Sequence, residues 1–534
     1  MASFREPKYS LVEFFERSTE GSKCGYCGAK DRSYSTGMWG YRLTVMDYQH
    51  LLHRGWRRSG KYLYKPIMHQ TCCPQYAIRC NALDFRPSKS HKKVIKKMYK
   101  FLATGAGDEK IGPMNFDQSH KKTGPSDDSE DEADEEGDVE MDCIQVEPGM
   151  HMEDPRNKPD LNEVASPHIS DTPAPAVEPD STSRTSVRAS RDTPREFPAF
   201  ETKCSKPQQF QGPQMKKKDF RRERARQKLL DRGLDPDVEL TKRQATSSFP
   251  PNMASLLDRP LPENSKHVFR TRLVMLDADK DPYFESSFEA VYKIYQMYEL
   301  TIHSREAERP TVKQFSRFLA DSPLQYQLGM AQNTKEQPVY GSFHLHYILD
   351  DNLIAVDVID ILPDCVTSVY FFYDPDYRYL SLGTYSVLKE MAMVQELNKR
   401  FPEIKYTSLG FYVHSCSKMQ YKANFDPSSL LCPEKYTWHS LTESLPKLDI
   451  ASYQRLGDMN AEDEDGKVSV SSTLILYKRV LMTYEVYIAT LRKILRPAIA
   501  IDVEQARVAE FAYLVGKKCQ GRMALYCDNA PINQ

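Results

Sequence analysis

No run in this 534-residue sequence is both long and apolar enough to cross a bilayer; the stretch Leu353 to Leu362 is broken by Asp357 and Asp360. The first residues, Met-Ala-Ser-Phe-Arg-Glu-Pro, carry a charge of each sign and lead into no apolar core, so no secretory signal is expected. Of the 12 cysteines, most of the downstream ones are widely scattered. That is poor material for a secreted disulfide framework and points to a reducing compartment. The sequence has no internal repeat. Its net charge is only −1, so charge-driven binding must come from local blocks rather than from the sum. These absences predict a soluble, intracellular chain. With 40% apolar and 28% charged residues, it is long enough to bury two sizeable cores and still have sequence left over.

What is present divides into four parts. Residues 1–103 are dense in aromatics (Tyr34, Trp39, Tyr41, Tyr48, Trp56, Tyr62, Tyr64, Tyr76) and read as one N-terminal module. Within it, Arg54 to Lys61 is a basic turn leading into a strand, and Lys89 to Lys100 is a basic amphipathic helix with Val94, Ile95, Met98 and Phe101 on its apolar side. Residues 104–266 are acidic and rich in Pro and Ser, too polar to offset chain entropy, and are expected to be a disordered linker. A basic helix over 215–233, ending near Gly233, interrupts it; a solvated charged helix, a nuclear-import signal and a phosphate-backbone contact are its competing readings.

Residues 267–520 form the second globular part, followed by a tail over 521–534. A tyrosine-rich helix is expected from Phe284 to His303, then strands from Ser342, from Leu353 to Leu362 and from Thr367 to Tyr373. Short turns such as Asp350-Asp-Asn make these an antiparallel meander. Thr384 to Lys399 reads as a helix and Tyr406 to Val413 as a strand. Tyr477, Val480, Tyr484, Tyr487, Leu491 and Ile494 keep helical spacing until Pro497, and a last helix runs from Asp502 to near Gly516. The fold class is α+β or α/β.

Three places carry candidate chemistry. Tyr373 to Thr384 is a strand, a tight turn and a helix start, where Arg378, Ser381 and Gly383 resemble the phosphate-capturing turn of Gcn5-related acyltransferases; Ser381 stands where glycine is usual. An ordinary strand-to-helix turn is the bland alternative. Gly410 to Lys422 ends a strand with His414, Ser415, Lys418, Tyr421 and Lys422, donors and one near-neutral base able to hold an anion and relay a proton. His344 and His346 share one strand face and read as surface residues.

The third place is the pair of thiol motifs, Cys24-Gly-Tyr-Cys27 and Cys72-Cys73. A two-residue gap lets two thiolates converge on one metal, and the second pair supplies the remaining soft ligands. Zinc is the commoner occupant, with His69 or Cys80 available to complete it; adjacent cysteines suit a larger iron–sulfur cluster somewhat better.

These motifs together, with Gly-Trp-Arg-Arg-Ser-Gly, Ser-Val-Tyr-Phe-Phe-Tyr-Asp-Pro and Leu-Ser-Leu-Gly-Thr-Tyr-Ser, resemble those of eukaryotic arginyl-tRNA–protein transferases, in order and across both globular parts. The resemblance implies a Gcn5-related catalytic domain. It also implies transfer of arginine from arginyl-tRNA to N-termini beginning with Asp, Glu or oxidised Cys, marking those proteins for ubiquitin-dependent degradation in cytoplasm and nucleus. Cys24, Cys27, Cys72 and Cys73 would then hold an iron–sulfur cluster, with zinc as the alternative. Given that chemistry, His414 and Tyr421 are the candidate catalytic residues. Lys418, Lys422, Ser415, Arg378, Ser381 and Gly383 are candidates for acceptor or tRNA binding, and Asp360 and Asp374 for the donor arginine. Basic surface for tRNA is expected at Arg54 to Lys61, Lys89 to Lys100 and Lys216 to Lys228. A non-catalytic zinc-containing nucleic-acid binder and an acetyl-coenzyme A-dependent acetyltransferase are the rival readings.

Overall fold

The computed structural model describes residues 9–15, 20–107, 226, 227, 230, 235, 252–303, 310–328, 340–458, 460–494 and 499–527. The chain divides into two compact units, 1–165 with 250–534, and 166–249. Of the second unit only Arg226, Gln227, Leu230 and Asp235 are described, the first three helical. The acidic stretch expected to be disordered, and most of the expected basic helix, lie outside the described residues. The end of the expected linker does not: a short helix, Met253–Leu257, is packed down with Met253 fully buried.

Both sheets of the first unit join distant parts of the chain. One contains β1 (Ser10–Phe15), β2 (Ser35–Arg42), β3 (Arg57–Ser59), β4 (Tyr62–Pro66), β13 (Leu474–Tyr477), β14 (Val480–Thr483) and β15 (Met523–Tyr526). Its order is β14–β13–β15–β1–β2–β4–β3. The other contains β5 (Tyr76–Asn81), β6 (Phe269–Met275), β7 (Gly341–Leu349), β8 (Asn352–Ile361), β9 (Cys365–Tyr373), β10 (Tyr406–Tyr412), β11 (Ser428–Leu431) and β12 (Trp438–Ser440), in the order β12–β11–β5–β10–β9–β8–β7–β6. The first hundred residues are therefore not a module of their own. β5 lies between β10 and β11, and β15, in the expected tail, pairs in parallel with β1.

The meander β7–β8–β9 forms as expected, and its strands are buried on both faces. Alternate residues point to opposite sides. Tyr370 and Phe372 pack on helix α3 (Pro282–Ile302), where Glu299 accepts a 2.7 Å hydrogen bond from the Tyr370 hydroxyl. Phe371, Tyr347 and Asp357 face the other way, toward α4 (Leu382–Asn398) and its buried Glu390. Being under α3 also corrects the expectation for His344 and His346: both are buried, beside Phe284 and Tyr283, and burial lowers them to about 4 and about 3. Helical starts follow local chemistry: Asp281 caps α3 ahead of Pro282, and Ser88 with His91 forms a capping box on the helix Lys89–Thr104.

Two sequence expectations fail for tertiary reasons. The helical spacing from Tyr477 begins too early: Leu474–Thr483 is a hairpin, turning at Lys478 and Arg479 with φ of 46° and 66°. Pairing with β15 extends the sheet there, and a helix follows only over Tyr484–Ile494. The basic turn Arg54–Lys61 is the second failure. Arg54, Arg57 and Arg58 are buried, so they supply no tRNA surface. Arg54 reaches Asp463 and Asp465 at 3.0 and 3.3 Å; Arg58 makes a two-pronged pair with Asp360 at 2.6 and 2.7 Å. The turn is tight because Gly60, at φ +58°, lies against the Arg317 carbonyl, where a Cβ would stand 1.8 Å from the oxygen.

Candidate functional site

Parallel strands β9 and β10 pair only at their beginnings, Tyr406 to Ser408 against Cys365 to Thr367. Beyond that the register on the other side of β10 shifts, around Gly410 at φ +72°. Side chains take the carbonyls there: Arg57 donates to Gly410 O at 3.2 Å, and the Lys422 ammonium donates to Phe411 O at 2.8 Å. Such an opening between neighbouring parallel strands leaves backbone groups without ladder partners, and here buried side chains supply some of them. Lys422 is itself buried at this position, which removes it from the exposed loop where it was expected.

The loop after β10 turns through His414 to Cys416 and closes with a helical turn, Ser417–Gln420. His414 Nε2 lies 2.9 Å from Asp449 and Nδ1 lies 3.0 Å from the Tyr412 hydroxyl. With Asp449 accepting from Nε2–H, Nδ1 accepts from Tyr412, so the ring is oriented from both sides. Asp449 ends helix α5 (Leu441–Ile450), 35 residues away in sequence, and no local signal marks it as a partner. Lys418 and Ser415 are exposed, and Tyr421 is half-buried.

On β9's side, the strand–turn–helix reading holds. A 3₁₀ turn, Pro375–Leu380, is capped by Asp374, whose carboxylate accepts from Asp376 N–H at 3.1 Å. Burial, before its neighbours, raises Asp374 from its ordinary value. Ser381 adopts φ 55°, ψ 48° as it starts α4, with Gly383 buried in the first turn. The helix α2 (Lys89–Thr104) lies alongside: Lys97 donates to the Tyr379 carbonyl at 2.9 Å, and Phe101 packs on Tyr377 and Tyr379. Lys89, Lys92, Lys93, Lys96, Lys97 and Lys100 are all exposed. The basic helix and the Arg378 turn thus form one surface.

The four named thiols meet as expected. Cys24, Cys27, Cys72 and Cys73 hold their sulfurs within 4.8 Å of one another, a set able to bind a metal ion. Cys27 and Cys72 are 3.4 Å apart. The hydrogen bond from Ala29 N–H, before that of Cys72, lowers Cys27 to about 7; burial pushes Cys73 up to about 11. The cluster carries the His414 loop on its back: Val413 and Met419 pack against Cys24 and Cys73, and Ser415 lies beside Cys73, where it favours the thiolate. His69 and Cys80 are not part of it.

Asp360 is not available to a substrate. It is fully buried between Arg58 and the Ser342 hydroxyl, which donates at 2.6 Å. A different carboxylate pair went unseen in the sequence. Asp357 and Glu390 are adjacent in the core with Lys422 and Tyr347 nearby; when both are ionised their oxygens lack well-formed donors, the Ser368 hydroxyl beside Glu390 being the nearest help. Burial raises both, Asp357 to about 8 and Glu390 well above its ordinary value, so a proton on Glu390 binds the two together.

Comparison with known proteins bears on both ends of the chain. The family described as arginine-tRNA-protein transferase, C terminus, matches residues 290–432, and its N-terminal counterpart matches residues 22–93. Arginyl-tRNA–protein transferase 1 of Drosophila melanogaster is 34% identical over 96% of this chain and 99% of its own length. Arginyl-tRNA–protein transferase 2 of Arabidopsis thaliana is 34% identical over 85% of this chain and 78% of its own. An aspartate/glutamate leucyltransferase of Campylobacter jejuni is 39% identical over 17% of this chain and 35% of its own. Among solved structures, the C-terminal domain of a putative lysylphosphatidylglycerol synthetase from Agrobacterium fabrum covers 32% of this chain and 48% of its own at 9% identity and TM-score 0.18, a likeness too slight to bear on the fold. With the Drosophila protein matched from end to end and both family halves in order around the thiols and the β9–β10 opening, the chain belongs to the arginyl-tRNA–protein transferase family.

Proposed function

We propose that this protein transfers arginine from arginyl-tRNA to the α-amino group of proteins whose first residue is Asp, Glu or oxidised Cys, marking them for ubiquitin-dependent degradation. The observation that carries this reading is the match to a transferase of that name over nearly the whole chain. The name of the Campylobacter relative supports an acidic acceptor. The reaction needs no covalent enzyme intermediate, because an aminoacyl ester is already activated. The amine nitrogen attacks the ester carbonyl carbon; the C–N bond forms as the bond to the ribose oxygen breaks, and that oxygen leaves with a proton from the amine. The protein's tasks are orientation and proton handling.

In this reading β9, its turn and α4 act as in a Gcn5-related acyltransferase, with the donor's 3′ end at the β9–β10 opening. Arg378 and Ser381 face the acceptor-stem phosphates, with Gly383 buried behind them in the first turn of α4, and the α2 lysines continue that basic surface. His414, held by Asp449, and Tyr421 are the candidate proton carriers, while Ser415 and Lys418 line the same loop. Asp374 is the remaining candidate for the donor arginine. Purified protein should incorporate labelled arginine from charged tRNA into an Asp-initiated peptide and not use acetyl-coenzyme A as donor. Incorporation unchanged by ribonuclease treatment of the charged tRNA would sink the reading.

The thiol spacing supports the zinc alternative over the iron–sulfur cluster. Four thiolates around one tetrahedral ion, with bonds of about 2.3 Å, stand about 3.8 Å apart, which fits sulfurs that all lie within 4.8 Å of one another; the thiolates of a multi-iron cluster stand further apart. When bound, such an ion supplies a structural clamp beneath the His414 loop. Anaerobic protein should therefore carry stoichiometric zinc and no broad visible absorption. Cys24→Ala or Cys73→Ala should abolish metal content, and Cys143→Ala should leave it intact. Stoichiometric iron with visible charge-transfer bands would restore the cluster assignment.

A further inference from the structure

Away from the His414 loop, a cavity of about 380 Å³ opens between the two sheets. Its apolar floor includes Ala77 of β5 and Leu431 of β11. Ala77 stands directly across from Phe411 in the register, so this floor is one strand from the carbonyls at the β9–β10 opening. The polar wall is unusual. The Lys65 ammonium donates to Arg54 O at 2.6 Å and to the Tyr436 hydroxyl at 2.8 Å. The Tyr436 ring carries two cations, Lys65 at 4.1 Å and Arg54 at 4.3 Å from its centroid.

Tyr436 is held at φ +52°, a left-handed conformation that costs free energy in a bulky residue and persists where the surroundings fix a side chain in place. Thr36 also lines the cavity, and its buried hydroxyl has no hydrogen-bond partner. At the rim is one carboxylate, Glu434, oriented by the Tyr453 hydroxyl at 3.1 Å and by Arg455 at 3.7 Å.

Arg54 is neutralised by Asp463 and Asp465. What the cavity offers a ligand is an ammonium and a hydroxyl inside, phenol rings along the wall, and a carboxylate at the mouth, with Lys435 and His69 also in the lining. The complement is a small group bearing an anion and a cation a short distance apart. A polypeptide beginning with Asp or Glu has that form, with a side-chain carboxylate and an α-ammonium on one residue. The 3′ end of arginyl-tRNA carries its cations on the arginyl group, with the nearest phosphate a whole nucleoside away rather than on the same residue.

We infer that this cavity receives the first residue of the acceptor, its carboxylate on Lys65 and Thr36 and its α-amino group at Glu434. The inference rests on the transferase reading above and moves acceptor recognition from the Lys418–Lys422 loop to this pocket. Binding alone tests it without transfer. Calorimetry with an Asp-initiated peptide amide should show binding to the full-length wild-type protein, at least roughly tenfold weaker to Lys65→Met and to Glu434→Gln. In steady-state arginine transfer, both variants should raise KM for the Asp-peptide by roughly ten- to a hundredfold, with KM for arginyl-tRNA unchanged. Glu434 lies at the rim, so Glu434→Gln keeps the test decisive where loss of the Lys65 bond to Arg54 O unfolds the protein. Unchanged peptide affinity in both folded variants would overturn the inference. So would a raised KM for arginyl-tRNA in place of the peptide, which would give the cavity to the nucleic acid. If the wild-type protein binds the peptide but transfers no arginine, the pocket stands and the transferase reading falls.

Discussion

Replacing Asp360 by Ala should destabilise the protein by about 3–5 kcal/mol, because it strands the Arg58 guanidinium in the core without its counter-ion. The two side chains are fully buried and meet through two hydrogen bonds of 2.6 and 2.7 Å. Ser342 loses its acceptor in the same step. The loss should show as a drop of several degrees in the thermal midpoint and as weaker protection of β3 and β8 in hydrogen exchange. A double variant, Arg58→Met with Asp360→Leu, should recover most of the stability, since the desolvation of two charges disappears with the pair. A single variant as stable as wild type would mean that water reaches this pair in solution. The pair joins β3, in the first sheet, to β8 in the second, so the test also reads how firmly the two sheets are held together.

The second large effect concerns pH. Asp357 and Glu390 are both raised by burial, and folding therefore takes up protons that the unfolded chain releases above the ordinary carboxylate range. The sign follows directly: stability from this pair is fully present below about 4. It is lost as pH rises toward and through about 8, where Asp357 itself titrates in the folded protein. The slope reaches about 1.4 kcal/mol per pH unit for each proton held. Glu390→Gln keeps the shape and a donor for Asp357 while removing Glu390's own titration and leaving that of Asp357. Its thermal midpoint should fall less than that of wild type between pH 5 and pH 8.5, and the variant should be the more stable protein at the alkaline end. Parallel curves for the two proteins would show that Glu390 does not carry the proton.

What the sequence determined by itself is local or periodic. The meander, the helices at 282–302 and 382–398, the strand–turn–helix at Arg378 and the exposed lysine face of α2 follow from alternation, helical spacing and turn residues, and these act within a few residues of one another. The thiol set was also legible, because two short motifs each bring their sulfurs close before any tertiary contact forms.

Tertiary structure decided the rest, chiefly which charges are buried and with what. Arg54, Arg57 and Arg58 look like a basic surface in one dimension and are internal ties in three. Asp360 looks like a strand-end ligand and is Arg58's counter-ion. His344 and His346 alternate like surface residues but lie under α3. Asp449, which orients His414, and Glu390, which holds a proton for Asp357, are each more than thirty residues from their partners in the chain. The spacing at Tyr477–Tyr484 fits a helix, yet an open sheet edge beside β15 made a hairpin the better use of the same residues. Charge type and period are properties of a sequence; the partner that makes a buried charge tolerable is set by where the chain returns, and only the folded topology brings it there.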